Sequence, residues 1–275
     1  MKIKELDKTI EIALKEDLPQ GDITSESCIP PQSKSEAVFL AKEEGILAGI
    51  DVAKRVFEKI DQRLEFEKSL EDGQEFKAGD TLAKVKGNSI SILKGERTAL
   101  NFLQRMSGIA TKARMFAQPL AGTQTKILDT RKTTPGLRWL EKYAVRMGGG
   151  ENHRFNLSEM VLIKDNHIKI VGSVSEAVKR AKMNAKKAVK IEVETKSLDE
   201  VKEAIESGAD IVMLDNMSLE KMSEAVAWAK GKVLIEVSGR IALEEIRDIA
   251  SLGVNYISVG SLTHSYKSLD ISLEF

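Results

Sequence analysis

The sequence predicts an α/β fold in which parallel strands build the second part of the chain. From residue 126 onward, short apolar runs alternate with amphipathic helical stretches, a pattern typical of βαβ units and a parallel sheet. Six such strand–helix units favour a (β/α) barrel over an open sheet. The first hundred residues lack this alternation and mix short strands, turns and helices, so the two parts are expected to fold differently.

The elements of the first part follow from turn residues and hydrophobic periodicity. SEAVFLAKEEGILAGI has two strand-like runs around a Glu-Gly turn, and DVAKRVFEKID has helical spacing. GQEFKAGDTLAKVKGNSISIL has strand-like runs punctuated by Gly and Asp. From Lys94, the stretch KGERTALNFLQRMSGIATKARMFAQPL predicts one long helix that ends near Pro119 and Gly122.

The second part repeats a single strand–helix unit. Its strand-like runs are KILD, MVLIK, VKIEVE, DIVMLD, KVLIEVS and YISVG. The helical stretches that separate them are LRWLEKYAVRM, SVSEAVKRAKMNAKK, SLDEVKEAIESG, SLEKMSEAVAWAKG and ALEEIRDIASLG. Since no G-x-G-x-x-G motif follows a strand, a Rossmann dinucleotide site is unsupported.

Composition narrows the classes of function. The 275 residues carry 42 Lys+Arg against 42 Asp+Glu, so binding to nucleic acid through bulk charge is not expected. The single cysteine, Cys28, excludes an internal disulfide and favours a reducing compartment, so we expect a cytoplasmic protein. The sequence has no evident signal peptide or membrane-spanning run, and no membrane contact is expected.

Ligand-type residues follow each of the six strand-like runs. In parallel α/β folds the carboxyl ends of the strands form the ligand-binding face, so these residues are expected to converge. Glu192 shares a strand face with Glu194, and we expect Glu192 to pair with an Arg or Lys. The strand-end residues are Arg131, Lys132, Lys164, Glu194, Asp215, Ser238, Gly239, Arg240, Gly260 and Ser261.

The chemistry of this set indicates an anionic substrate beside a phosphosugar. Arg and Lys hold carboxylates or phosphates, and Arg does so bidentately. His153 and Arg154, in MGGGENHRFNL, add cations to the same face. Gly-Ser and Ser-Gly turns offer backbone N–H groups to a phosphate. Carboxylates beside phosphates hold Mg²⁺, often through water, or bind sugar hydroxyls.

The stretch TRKTTPGLRWLEKYAVRMGGGENHRFNLSEMVLIKDNH closely resembles the signature of the quinolinate phosphoribosyltransferase family. EDLPQGDITSESCIP, GERTALNFLQRMSGIAT, IEVET, VMLDN, IEVSGRI and ISVGSLTHSYKSLDISL resemble further segments of that family, in order along nearly the whole chain. The resemblance implies an N-terminal α/β sandwich domain at residues 1–105, joined by the C-terminal tail 266–275. It also implies an incomplete α/β barrel at residues 106–265.

The resemblance implies a reaction and an assembly. Quinolinate and phosphoribosyl pyrophosphate (PRPP) would give nicotinate mononucleotide, pyrophosphate and CO₂ with Mg²⁺, in the de novo synthesis of NAD. The active protein would be a homodimer or a higher homo-oligomer whose sites lie at subunit interfaces. Arg97 would reach into the site of the partner subunit.

The resemblance also assigns roles to residues of this sequence. Arg131, His153, Arg154 and Lys164 would hold quinolinate together with Arg97, and Lys132 would hold either a quinolinate carboxylate or pyrophosphate. Glu194 and Asp215 would hold ribose hydroxyls and Mg²⁺, directly or through water. Ser238, Gly239, Gly260 and Ser261 would cradle the 5-phosphate. Arg240 stands where the family commonly has a small or polar residue, which leaves its contact open. The expected catalytic residues are Lys132, Lys164, Glu194 and Asp215, and Thr130 completes the substrate-binding set.

Two alternatives stay open at this point. One is a related pyrophosphorylase that uses a different acceptor. The other is a non-catalytic barrel that binds phosphosugars as a sensor or scaffold. The presence of Lys164, Glu194 and Asp215 together favours an enzyme, because binding alone would not need the whole set.

Overall fold

The computed structural model describes residues 3–185, 189–229 and 231–275. The chain forms two compact units. The first comprises Met1–Arg114, Thr134–Gly149 and Ser265–Phe275, and the second comprises Met115–Thr133 and Gly150–His264. The domain boundaries implied by the resemblance stay a prediction, and these units differ from them chiefly by grouping Thr134–Gly149 with the first unit.

The first unit is built on an antiparallel sheet. Its four main strands lie in the order β12-β1-β5-β3, and β2 pairs with β4. The last strand of the chain therefore lies beside β1, where Phe39 pairs with Leu273. The strands are β1 (Lys34–Ala41), β2 (Gly45–Ile46), β3 (Glu65–Lys68), β4 (Glu75–Phe76), β5 (Thr81–Asn88) and β12 (Ile271–Glu274).

Apolar helix faces and an aromatic cluster make the core of the first unit. The rings of Phe39 and Phe57 are 6.0 Å apart at their centroids, and Phe66 lies 5.9 Å from Phe39. Phe39 and Phe57 are almost fully buried. The first five helices of the chain are α1 (Ile3–Asp17), α2 (Ile23–Cys28), α3 (Ile50–Ile60), α4 (Ser89–Ala117) and α5 (Arg138–Met147).

Helix α4 begins five residues before the predicted position, at Ser89 rather than Lys94. The SISIL stretch was expected to be strand-like because its apolar residues alternate with polar ones. Instead, the Asn88 side chain accepts a hydrogen bond from the Ser91 backbone N–H at 3.0 Å. Asn at this position satisfies a backbone donor that the first helical turn leaves without a partner, and so starts the helix.

The second unit contains a six-stranded parallel sheet, which confirms the predicted α/β fold. The strand order is β6-β11-β10-β9-β8-β7, so the first and last strands of this unit in sequence are neighbours. A cyclic order that breaks only between β6 and β7 is that of an incomplete barrel. The strands are β6 (Lys126–Leu128), β7 (Val161–Ile163), β8 (Ile191–Thr195), β9 (Ile211–Asp215), β10 (Leu234–Ser238) and β11 (Tyr256–Ser258).

Helices follow the strands of this sheet, as expected of βαβ units. They are α6 (Asp165–Val171), α7 (Val174–Asn184), α8 (Leu198–Glu206), α9 (Leu219–Ala229), α10 (Ile246–Ser251) and α11 (Ser261–His264), with short 3₁₀ turns at Gln118–Leu120 and Leu243–Glu245. None of the described helices is long and apolar enough to cross a membrane.

A single residue extends the sheet on the open side of β6. The Glu151 N–H donates to the Ile127 carbonyl at 2.8 Å, and the Asp129 N–H donates to the Glu151 carbonyl at 3.2 Å. This parallel bridge holds the segment after Gly150 against β6. It therefore brings His153 and Arg154, which are distant from β6 in sequence, to the carboxyl end of that strand.

Candidate active site

The carboxyl ends of the barrel strands enclose a cavity of about 490 Å³, which we call the strand-end cavity. Alternate residues of a strand face the same side, so each strand can contribute side chains two residues apart to successive layers. This volume suits a small-molecule site. The lining residues are Thr130, Arg131, Lys132, His153, Arg154, Leu162, Lys164, Glu194, Met213, Asp215, Asn216, Glu236, Ser238 and Ser258.

Most of the residues predicted for the site lie in this lining. Thr130, Arg131, Lys132, His153, Arg154, Lys164, Glu194, Asp215 and Ser238 are all brought together there. The other five predicted residues are not among the lining residues. Arg97 is exposed on α4, and Arg240 is exposed after β10. Gly239 directly follows the lining residue Ser238, Gly260 faces Lys132, and Ser261 begins α11. The roles of all these residues remain predictions.

Two guanidinium groups converge at the cavity. Arg154 is half-buried, and its Nη1 donates to the Met160 carbonyl at 2.9 Å. Burial and the neighbouring positive charge of Arg131 lower the pKa of Arg154 below its ordinary value. Holding two like charges together in a partly desolvated place is unfavourable, and an anion bound between them would relieve the repulsion.

The backbone beside Lys132 is held by contacts within the barrel. The Thr263 hydroxyl donates to the Lys132 carbonyl at 2.8 Å, and the Lys132 N–H donates to the Thr130 hydroxyl at 3.1 Å. A Cβ added at Gly260 would lie 3.0 Å from Cδ of Lys132, so a glycine leaves room for the lysine stem. These contacts hold the Lys132 backbone in place and leave space for its side chain.

Lys164 forms an ion pair with Glu194. The lysine directly follows β7 and the glutamate lies on the neighbouring strand β8, so both side chains reach the cavity. This pairing corrects the expectation for β8, because Glu194 rather than Glu192 has the lysine partner. Glu192 instead contacts His153, with its Oε2 3.0 Å from His153 Nε2.

The two ring nitrogens of His153 have partners within the fold. The Arg154 backbone N–H donates to Nδ1 at 2.8 Å, so Nδ1 is an acceptor and Nε2 carries the proton. That proton points to Glu192, while Glu236 Oε2 lies 3.5 Å from Nε2. The Asp129 carboxylate also accepts from the His153 backbone N–H at 3.0 Å. In this arrangement the imidazole of His153 orients the Arg154 backbone. A contact between His153 and quinolinate remains a prediction.

Two glutamates are buried beneath the cavity, one on β8 and one on β10. Glu192 and Glu236 are no more than 1 % exposed. Burial raises the pKa of Glu192 to about 7 and, together with the negative charge of Glu192, raises the pKa of Glu236 to about 8. Within the described residues, neither oxygen of Glu236 has a hydrogen-bond partner, and neither does the Ser258 hydroxyl.

Two sets of side chains in this region offer metal-ligand atoms. Those of His153, Glu192 and Glu236 lie within 4.8 Å of one another. The proton on His153 Nε2 argues against an ion there, because a coordinating nitrogen must present its lone pair. Glu194 and Asp215 offer carboxylate oxygens to the cavity, the ligand type that Mg²⁺ prefers.

Asn216 lines the cavity although it is not among the residues predicted for the site. Its φ of 52° is left-handed, a conformation that asparagine tolerates better than most residues. Its N–H donates to the Ser238 carbonyl at 3.0 Å. A Cβ added at Gly239, which has a φ of 138°, would lie 2.7 Å from Oδ1 of Asn216. The sequence signal for such a position is an Asn directly after a strand, because asparagine adopts the left-handed conformation more readily than most residues.

A second and larger groove, of about 1080 Å³, lies at the amino ends of β9 and β10. It is bordered by Asp210, Ser223, Lys232 and Leu234. It lies away from the carboxyl-end face on which parallel barrels bind ligands, and the predicted site residues do not line it. The strand-end cavity is therefore the candidate active site.

Comparisons with known proteins agree on a single family. The family models "Quinolinate phosphoribosyl transferase, N-terminal domain" and "C-terminal domain" match residues 22–107 and 109–274. A Bacillus subtilis protein named "Probable nicotinate-nucleotide pyrophosphorylase [carboxylating]" is 45% identical over 270 residues, covering 98% of this chain and 93% of the relative. The crystal structure of NadC from Streptococcus pyogenes matches with a TM-score of 0.97 and 42% identity, covering 100% of this chain and 97% of that one. The nicotinate-nucleotide pyrophosphorylase from Francisella tularensis matches with a TM-score of 0.94 and 41% identity, with the same coverage.

Proposed function

The chain belongs to the quinolinate phosphoribosyltransferase family, and we propose that its strand-end cavity transfers phosphoribosyl from PRPP to quinolinate with loss of CO₂. The products would be nicotinate mononucleotide and pyrophosphate, in the de novo synthesis of NAD. The observation that supports this use of the cavity best is the convergence of Arg131, Arg154 and Lys164. A dicarboxylate needs several cations in a partly desolvated place.

The acceptor half of the cavity would hold quinolinate through its two carboxylates. Arg131 follows β6, Lys164 follows β7, and the Glu151 bridge brings Arg154 alongside. Burial and, after it, the positive charge of Arg131 lower the pKa of Arg154, and a bound anion would offset the repulsion between the two guanidinium groups. Fixed guanidinium groups would also set the plane of the ring, so that its nitrogen faces the ribose.

The other half would hold PRPP. Asp215 and Ser238 end β9 and β10 and suit ribose hydroxyls and a phosphate. Glu194 and Asp215 together offer oxygen ligands that fit Mg²⁺, and Mg²⁺ held there would neutralise charge on the pyrophosphate. Lys132 suits either pyrophosphate or a quinolinate carboxylate.

The transfer step needs positioning more than a protein nucleophile. The ribose carbon gains oxocarbenium character as pyrophosphate leaves, and the pyridine nitrogen attacks it. The cations of the cavity stabilise the departing charge. The ring nitrogen then carries a positive charge, which accepts the electrons left behind when the 2-carboxylate departs as CO₂.

The test is a coupled assay with PRPP, Mg²⁺ and quinolinate, in which nicotinate mononucleotide and CO₂ are followed together. Nicotinate serves as the parallel acceptor. We expect both products from quinolinate and none from nicotinate. Folded protein that binds PRPP but does not turn over quinolinate would refute the proposal and indicate a different acceptor or a sensor.

We also propose a homodimer or larger homo-oligomer with a shared site, in which Arg97 of one subunit serves the cavity of its partner. Arg97 is exposed on α4, which suits such a contact. Arg97→Ala and Arg131→Ala would each be inactive alone. Mixed dimers would contain one site with neither lesion, so random mixing would restore up to about a quarter of wild-type activity. Absence of recovery despite proven subunit exchange would contradict a shared site.

We also propose a cytoplasmic location, and the single cysteine is the observation that supports it.

A further inference from the structure

We propose that Glu236 is the acid that delivers a proton to carbon 2 of the pyridine ring as the 2-carboxylate leaves. The inference rests on the proposed function, since only a decarboxylating transfer leaves a ring carbon in need of a proton. Glu236 lines the strand-end cavity although its carboxyl is almost fully buried. Glu192, His153 and Ser258 lie beside the carboxyl, but within the described residues none of them makes a well-aligned hydrogen bond to either of its oxygens, so its proton is not held by another group of the fold.

The proposed step balances without a further reactant. The bond between carbon 2 and the carboxylate breaks and CO₂ leaves, while the electron pair of that bond takes up a proton at carbon 2 beside the positively charged ring nitrogen. In the same step the O–H bond of Glu236 breaks, its proton forms the new C–H bond, and Glu236 becomes a carboxylate. Solvent returns a proton to it once the product has left.

The position of Glu236 in the barrel suits this role. Carbon 2 is bonded to the ring nitrogen, so it must lie where the acceptor half of the cavity meets the ribose half. Arg131 and Lys164 supply the acceptor half, and Ser238 belongs to the ribose half. Glu236 precedes Ser238 by two residues on β10, so it faces the same side one layer deeper. It therefore lies beneath the ribose side of that junction.

The surroundings of Glu236 keep its carboxyl neutral. Glu192 from β8, His153 from the loop before β7 and Ser258 from β11 face it, and the charges of Arg154 and Lys164 act on Glu192 beside it. Burial, together with the negative charge of Glu192, outweighs the opposing effects of His153 and Ser258 and raises the pKa of Glu236 to about 8. A carboxyl that is neutral at pH 7 can donate a proton and does not repel a dicarboxylate.

The experiment separates transfer from decarboxylation in a single turnover. Enzyme with PRPP, Mg²⁺ and quinolinate labelled in its 2-carboxylate is quenched at intervals, and pyrophosphate, CO₂ and the mononucleotides are measured. In Glu236→Gln we expect pyrophosphate release within about threefold of wild type and CO₂ release slowed by about a hundredfold, the usual worth of a general acid. The mononucleotide that retains both carboxyl groups should accumulate. Pyrophosphate and CO₂ that stay in step in this variant would overturn the proposal.

Two further comparisons keep the proposal falsifiable. Glu236→Asp retains an acid and should restore part of the CO₂ step, whereas Glu192→Gln removes the adjacent buried carboxyl and should leave both products in step. If Glu236→Gln does not fold, wild type is compared at pH 6 and pH 9.5. CO₂ should lag behind pyrophosphate only at the higher pH, and an unchanged ratio would overturn the role. Wild type that makes no nicotinate mononucleotide would instead refute the proposed function itself.

Discussion

Burial of Glu236 makes the stability of the second unit depend on pH. The pKa of Glu236 is raised from 4.5 to about 8 by burial and by Glu192. A carboxyl with a raised folded-state pKa contributes stability that is fully present below its unfolded pKa. That stability is lost as the pH rises through the folded-state pKa. We therefore expect Glu236→Gln, which keeps the shape but cannot ionise, to be about as stable as wild type at pH 5 and more stable at pH 9.

The magnitude follows from the size of the shift. A pKa change of one corresponds to about 1.4 kcal/mol in the free energy of unfolding. A change in the pKa of Glu236 from 4.5 to about 8 therefore sets an upper limit of about 5 kcal/mol on its effect. Glu192 lies beside Glu236, and the two carboxyls titrate as a coupled pair, so removing one recovers only part of this. We expect Glu236→Gln to gain about 2 kcal/mol over wild type between pH 5 and pH 9.

Urea unfolding at the two pH values measures this gain. The chain has two tryptophans, so a Trp139→Phe background leaves Trp228 on α9 to report on the second unit. Glu65→Gln, an exposed carboxylate on β3, is the matched control for the change in formal charge. If the difference between wild type and Glu236→Gln is the same at pH 5 and pH 9, the carboxyl is not protonated by burial and the reasoning fails.

Three further predictions, one of them with a matched control variant, test separate parts of the structure. Arg131→Ala should abolish detectable quinolinate binding in calorimetric titrations while the fold stays intact, since a charge-assisted contact is lost, and normal affinity would remove Arg131 from the acceptor half. Gly239→Ala should weaken PRPP binding about tenfold, because its Cβ would meet Asn216 Oδ1 at 2.7 Å with φ at 138°. Gly79→Ala, with φ at 92° and nothing within 4 Å of its Cβ, should lower only thermal stability; equal PRPP affinities in the two variants would contradict the steric account. Asn88→Ala should destabilise the protein by about 1 kcal/mol in thermal unfolding, and no loss would show that the cap on α4 is unimportant.

The sequence was enough to predict the repeating fold and most of the cavity lining. Each strand of the barrel is a short apolar run, and its carboxyl end carries polar residues that interrupt the run. Chain direction alone assigns those ends to one face of a parallel sheet. The sequence therefore groups Arg131, Lys164, Glu194 and Asp215 on one face. The start of α4 was misplaced because local alternation in SISIL outweighed the capping signal of Asn88.

Only the tertiary structure decided which of these groups carry protons and which carry charge. Glu192 and Glu236 lie on strands separated by β9, and their proximity depends on the closure of the sheet rather than on any spacing in the sequence. The same closure brings His153 between them and lets the Arg154 N–H select its tautomer. Ionisation depends on distance and burial in three dimensions, whereas periodicity along the chain determines only the direction in which each side chain points.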